Sequence, residues 1–81
     1  MNIRKILDGV IERNIMKKYP FISGYFVKDE VDNEVYLVKL YYKDYSKLKP
    51  VRQEIIDELY LYFMSLSPKR KERLIVHFIN L

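Results

Sequence analysis

The sequence predicts a small two-layer α+β domain of order α-β-β-α-β: an antiparallel hairpin plus a third strand, with two helices on one face. Three observations carry this. Val35 to Lys43, V-Y-L-V-K-L-Y-Y-K, is the longest run of strand-forming residues and contains neither Gly nor Pro. Two segments, 3–18 and 51–64, repeat apolar residues at helical spacing. Pro20, Pro50 and Pro68 stand at boundaries between these patterns.

The first helix is expected from an Asn2 cap to about Lys18, with Ile3, Ile6, Leu7, Val10 and Ile11 inward. Lys17 and Lys18 fall in the last turn, where cations suit the helix dipole, and Pro20 ends it. Gly9 costs about 1 kcal/mol of helix propensity against alanine, which suggests close packing on the sheet. Asn14 interrupts the apolar stripe and is expected to take a buried hydrogen bond.

Phe21 to Lys28 is expected to be the first strand, with Gly24 marking a bulge or a close backbone approach. The charged stretch 29–34 follows, with Asp32-Asn33 suited to a tight hairpin turn. Strand alternation then places Tyr36, Val38, Leu40 and Tyr42 on the core face of the second strand. Val35, Leu37, Lys39, Tyr41 and Lys43 fall on the opposite face, which turns basic and aromatic.

Asp44 to Lys49 is expected to be a loop, with Pro50 at the first position of a second helix running to about Met64. Its second half is apolar nearly all round, which predicts thorough burial. The last segment, after Ser67-Pro68, fits two patterns. As a strand, Leu74, Val76 and Phe78 alternate with Ile75, His77 and Ile79; as a helix, Leu74, Ile75, Phe78 and Ile79 form a stripe. Its β-branched and aromatic content favours the strand, and so do the three cations that would oppose the dipole at a helix start.

The chain of 81 residues is read as one domain, 1–81. At this length only about 60–65% of the unfolded surface is buried, so the stability margin is narrow. There is no Cys, which removes disulfides and thiolate metal ligands; a dense core or self-association is the expected compensation. The N-terminus lacks the pattern of a signal peptide and the most apolar window is too short to span a bilayer, so a cytoplasmic protein is expected. A net charge of +4 favours polyanionic partners through counterion release.

The candidate site is a basic, aromatic surface. Lys39, Tyr41, Lys43, Tyr45, Lys47, Lys49 and Arg52 form one group, and Lys69, Arg70, Lys71 and Arg73 form a second basic run. Cations neutralise phosphates and aromatic faces stack on bases, so RNA or DNA, single-stranded above all, is the expected partner. No known nucleic-acid motif or phosphate-binding glycine loop is present.

No catalytic or metal site is expected. His77 is the only histidine, and Ser23, Ser46, Ser65 and Ser67 have no other base to work with. Asp29, Glu30, Asp32 and Glu34 do not follow calcium-loop spacing and lack its glycine. No small-molecule substrate or cofactor is evident.

Four stretches carry a family resemblance: Y-P-F-I-S-G from Tyr19, V-Y-L-V-K-L-Y-Y-K-D from Val35, Q-E-I-I-D-E-L from Gln53 and L-I-V-H-F from Leu74. With the order of elements, they resemble the cytoplasmic C-terminal domain of cation diffusion facilitator transporters. The resemblance implies a helix, a hairpin, a helix and a final strand, and a domain that dimerises and senses metal. His77 stands at the place of a family histidine in the last strand, whereas Gln53 stands where the family carries another.

The resulting expectation is a non-enzymatic binding or regulatory module that engages nucleic acid through its Tyr/Lys surface. The alternative is a homodimeric protein-interaction domain using Val35, Leu37 and Tyr41. A metal-sensing module, or a small RNA-acting toxin with His77 as acid or base, ranks below both.

Overall fold

The computed structural model describes residues 3–30, 35–66 and 73–81. The expected Asn2 cap, the Asp32-Asn33 turn, the Ser67-Pro68 boundary and the run Lys69, Arg70, Lys71 lie outside the described residues. In chain order the elements are α1 (Ile3–Val10), a π turn (Ile11–Ile15), α2 (Met16–Lys18), β1 (Ile22–Glu30), β2 (Val35–Tyr42), α3 (Tyr45–Leu48), α4 (Arg52–Leu66) and β3 (Arg73–Asn80). The expected α-β-β-α-β order holds, and the last segment is a strand.

Residues 3–18 run as one continuous helix whose middle turn is wide. The apolar spacing explains the wide turn. Ile3, Leu7, Ile11 and Ile15 repeat every four residues and are each no more than 2% exposed. An α-helix has about 3.6 residues per turn, so four-residue steps drift off the buried face. A π turn takes up more residues per turn and brings Ile15 back over the core. Asn14 sits half-buried inside that turn.

The nearest neighbour of Gly9 is a side chain of its own helix. A β-carbon built there would meet the Arg13 guanidinium, 2.6 Å from Nη2, which is the free end of a flexible side chain. Gly9→Ala is therefore expected to stabilise the fold by about 0.5–1 kcal/mol and to raise Tm by a few degrees. Thermal melting by circular dichroism checks this, and a lowered Tm would show that the position needs glycine.

The sheet has the order β1-β2-β3, with β1 antiparallel and β3 parallel to the central β2. The register shifts between Ile22 and Gly24, which is the expected bulge. β1 extends to Glu30, so Asp29 and Glu30 belong to the strand rather than to the turn.

Tyr36, Val38, Leu40 and Tyr42 face the core as the alternation predicts. The four helical isoleucines and leucines of 3–18, Ile55, Leu59 and Phe63 of α4, and Leu48 of α3 close over them. Both long helices therefore cover the same face. Phe63 packs edge-on against Tyr36, with ring centroids 5.7 Å apart. Lys18 Nζ donates to Glu58 Oε1 at 3.2 Å and ties the end of α2 to α4. That carboxylate holds the Lys18 ammonium above its ordinary pKa.

Two further expectations change. The stretch 44–49 contains a helical turn, α3, because the Asp44 carboxylate accepts hydrogen bonds from the Ser46 N–H at 3.0 Å and hydroxyl at 2.6 Å. Those bonds hold the Asp44 carboxyl below the usual range. The second half of α4 is not well buried: Leu61 is 73% exposed and Met64 62%. In a two-layer domain one helix can bury only one stripe, here Ile55, Leu59 and Phe63, however apolar its other sides are.

On the core side of β1 the Tyr25 hydroxyl donates to Glu12 Oε1 at 2.5 Å, joining the π turn to the sheet. Burial, then that bond and the charges of Asp8 and Glu12, push the Tyr25 phenol up to about 12. A phenol raised in the folded state contributes stability that is complete below its unfolded value, near 10, and lost as pH rises through 12. Between those values the unfolded chain releases a proton that the folded one keeps, so stability falls with pH. Denaturant unfolding across pH 9–12 is expected to show a shallower fall in Tyr25→Phe than in the parent chain. Equal slopes would remove Tyr25 as the cause.

Candidate nucleic-acid interface

Among the described residues, the hydrophobic core draws on one face of the sheet only. Strand register builds the other face as rows running across it: Glu30 beside Val35 and then Arg73 at one end, where Val35 is buried at 8% exposure rather than open as expected, followed by three more. Lys28 lies beside Leu37 and then Ile75; Phe26 beside Lys39 and then His77; Gly24 beside Tyr41 and then Ile79. Phe26 is 46% exposed and Ile75 37%. Lys28, Arg73 and His77 are exposed, while Leu37, Lys39, Tyr41 and Ile79 are half-buried by their neighbours. The Phe26 row thus sets an aromatic ring, an ammonium and an imidazole side by side on the three strands.

Gly24 has a local role here. A β-carbon on it would sit 3.6 Å from Cδ2 of Tyr41, so the Tyr41 ring lies across the glycine backbone. An aromatic side chain over a strand glycine covers backbone that would otherwise face water. The same bulge lets the Ser23 hydroxyl donate to the Tyr41 carbonyl at 3.3 Å. Lys28 Nζ pairs with Glu30 Oε1 at 3.4 Å, an exposed contact of small energetic weight.

The candidate residues from the sequence divide between two sides. Lys39 and Tyr41 lie on the open face, and Lys43 is exposed just past the end of β2. Arg73 begins β3, opposite Val35. Tyr45 instead leans on the core-facing Tyr42, with centroids 6.3 Å apart. Arg52, at the start of α4, stacks over Phe78 at 5.4 Å from its ring centre, on the helix side. Lys47 and Lys49 are exposed around α3. One continuous Tyr/Lys loop surface is therefore not what forms. Lys39 and Tyr41 instead join Phe26 and His77, which lie outside the group expected from the sequence. The sequence does not show this, because the face of Phe26 depends on how β1 pairs with β2 and on the bulge before Gly24.

Among the described residues no group of three or more His, Cys, Asp or Glu side chains is gathered to hold a metal ion. No described helix is long and apolar enough to cross a membrane. Comparisons with protein-family models, with curated proteins and with solved structures find no match to this chain.

Proposed function

We propose that the protein is a non-enzymatic binding module whose open sheet face takes single-stranded RNA or DNA. The observation that supports this is the row Phe26, Lys39 and His77 on the sheet face that lies away from the core among the described residues, with Tyr41 beside it. Phe26 and Tyr41 offer ring faces for unstacked bases, and Lys39, Lys43 and Arg73 offer cations for the phosphates between them. A duplex hides its base faces and fits this platform poorly.

Labelled single-stranded and duplex oligonucleotides, titrated at several salt concentrations, test the reading. Single strands are expected to bind more tightly, with log K falling linearly as log salt rises. Lys39→Ala and Lys43→Ala should each lower that slope by about one while leaving the fold intact. Absence of binding even at low salt removes nucleic acid as the ligand.

A second reading rests on the flanking rows. Leu37 and Ile75 in one, and Tyr41 and Ile79 in the other, make much of the face apolar. A homodimer formed face to face would cover them, in keeping with the dimer implied by the cation diffusion facilitator resemblance. Sedimentation equilibrium separates the two readings: a dimer whose association is lost in Ile75→Lys supports the second.

A further inference from the structure

The two edges of the sheet are not alike. β1 carries a bulge, a glycine and the charges Lys28, Asp29 and Glu30, devices that discourage strand addition. β3 has none of these from Leu74 to Asn80.

Hydrogen-bond direction shows which groups the β3 edge presents. The Leu81 N–H donates to the Tyr42 carbonyl at 2.8 Å. Alternate residues of a strand point their backbone groups to alternate sides, so residues 75, 77 and 79 bond to β2. The N–H and C=O groups of Leu74, Val76, Phe78 and Asn80 then point away from the sheet. Consistent with this, the Leu74 carbonyl accepts from the Tyr60 hydroxyl of α4 at 2.5 Å. Among the described residues, Val76, Phe78 and Asn80 remain as a ladder without a partner strand.

α4 runs beneath this edge. Arg52 touches Phe78 and Tyr60 touches Leu74, which places Ile56 between them on the same helix face. Next to Tyr60 and Met64 a cleft of about 340 Å³ opens toward Ile75, with Arg73 at its rim. The groove between the β3 edge and α4 is thus marked by Arg52 beside Phe78 at one end and by the cleft that Arg73 helps to line at the other. Neither arginine has a carboxylate partner among the described residues.

We propose that this groove binds an extended peptide of another protein by strand addition to β3, the peptide being apolar in its middle and acidic at its ends. Main-chain bonds to Val76, Phe78 and Asn80 supply register, and the cleft takes one large apolar side chain. A second copy of this chain fits less well. Two-fold pairing centred on Phe78 sets Arg52 against its own copy, whereas a carboxylate-ended peptide neutralises both arginines.

The probe is a blocked peptide of alternating valine and leucine with two glutamates at each end; its counterpart carries lysines there. At low salt the glutamate peptide should bind about tenfold or more tighter and slow hydrogen exchange at the Val76, Phe78 and Asn80 amides. Arg52→Glu should reverse the preference. A glutamate peptide N-methylated at alternate amides should not bind, a control that leaves the protein unchanged. Equal binding of both peptides, or protection confined to the open face around Phe26, overturns the proposal. So does a free protein that sediments as a dimer with those three amides already protected, because a second copy then holds the edge.

Discussion

Leu40→Ala is expected to lower the unfolding free energy by about 2–5 kcal/mol and Tm by about 10–30 °C. Leu40 is fully buried at the middle of the central strand, between Tyr25 on one side and Phe78 on the other. The helix of 3–18 and α4 both close over this layer, so no solvent-facing group can collapse into the space that the truncation leaves. A chain of 81 residues has only about 4–12 kcal/mol of total stability, so the loss is a large fraction of it. Leu61→Ala, at 73% exposure on α4, should fall within about 0.5 kcal/mol of the parent. Urea unfolding followed by circular dichroism measures both. A Leu40→Ala change below about 1 kcal/mol would contradict a core built on this strand.

Truncating the two open-face aromatics should have the largest effect on ligand. Phe26→Ala and Tyr41→Ala are each expected to weaken single-stranded oligonucleotide binding by about 5- to 150-fold, the cost of one lost base stack. Phe26 is nearly half exposed, so its truncation should barely change Tm. Tyr41 also covers Gly24, and its truncation should cost some stability as well as affinity. The two aromatics differ from Lys39 in a measurable way. Removing a ring lowers affinity at every salt concentration, whereas removing the ammonium lowers the salt slope. Unchanged affinity in both aromatic variants, with intact folding, would move the ligand off this face.

Much of the architecture was legible in the sequence because burial leaves a period. Alternation of Tyr36, Val38, Leu40 and Tyr42 marked the core face, Gly24 marked the bulge, and β-branched content marked 73–80 as a strand. The four-residue steps Ile3, Leu7, Ile11 and Ile15 were visible too, but the π turn they require became apparent only in the folded helix. The site was less legible. Lys39 and Tyr41 were found from the open side of β2, yet Tyr45 and Arg52, close to them in sequence, turn to the helix side.

A period states which residues share a face; it does not state what lies against that face. By itself the sequence determined the order of the main elements and the core stripes of the 3–18 helix and of β2, since those follow from local geometry and the removal of apolar surface from water. Only the tertiary structure decided that β3 lies parallel beside β2, which joins Phe26, Lys39 and His77 into one row. It likewise left Leu61 and Met64 of α4 in solvent and, among the described residues, the outer edge of β3 without a partner strand. Those outcomes depend on which surfaces run out of neighbours when two layers close, a property of the whole chain that no single stretch of it encodes.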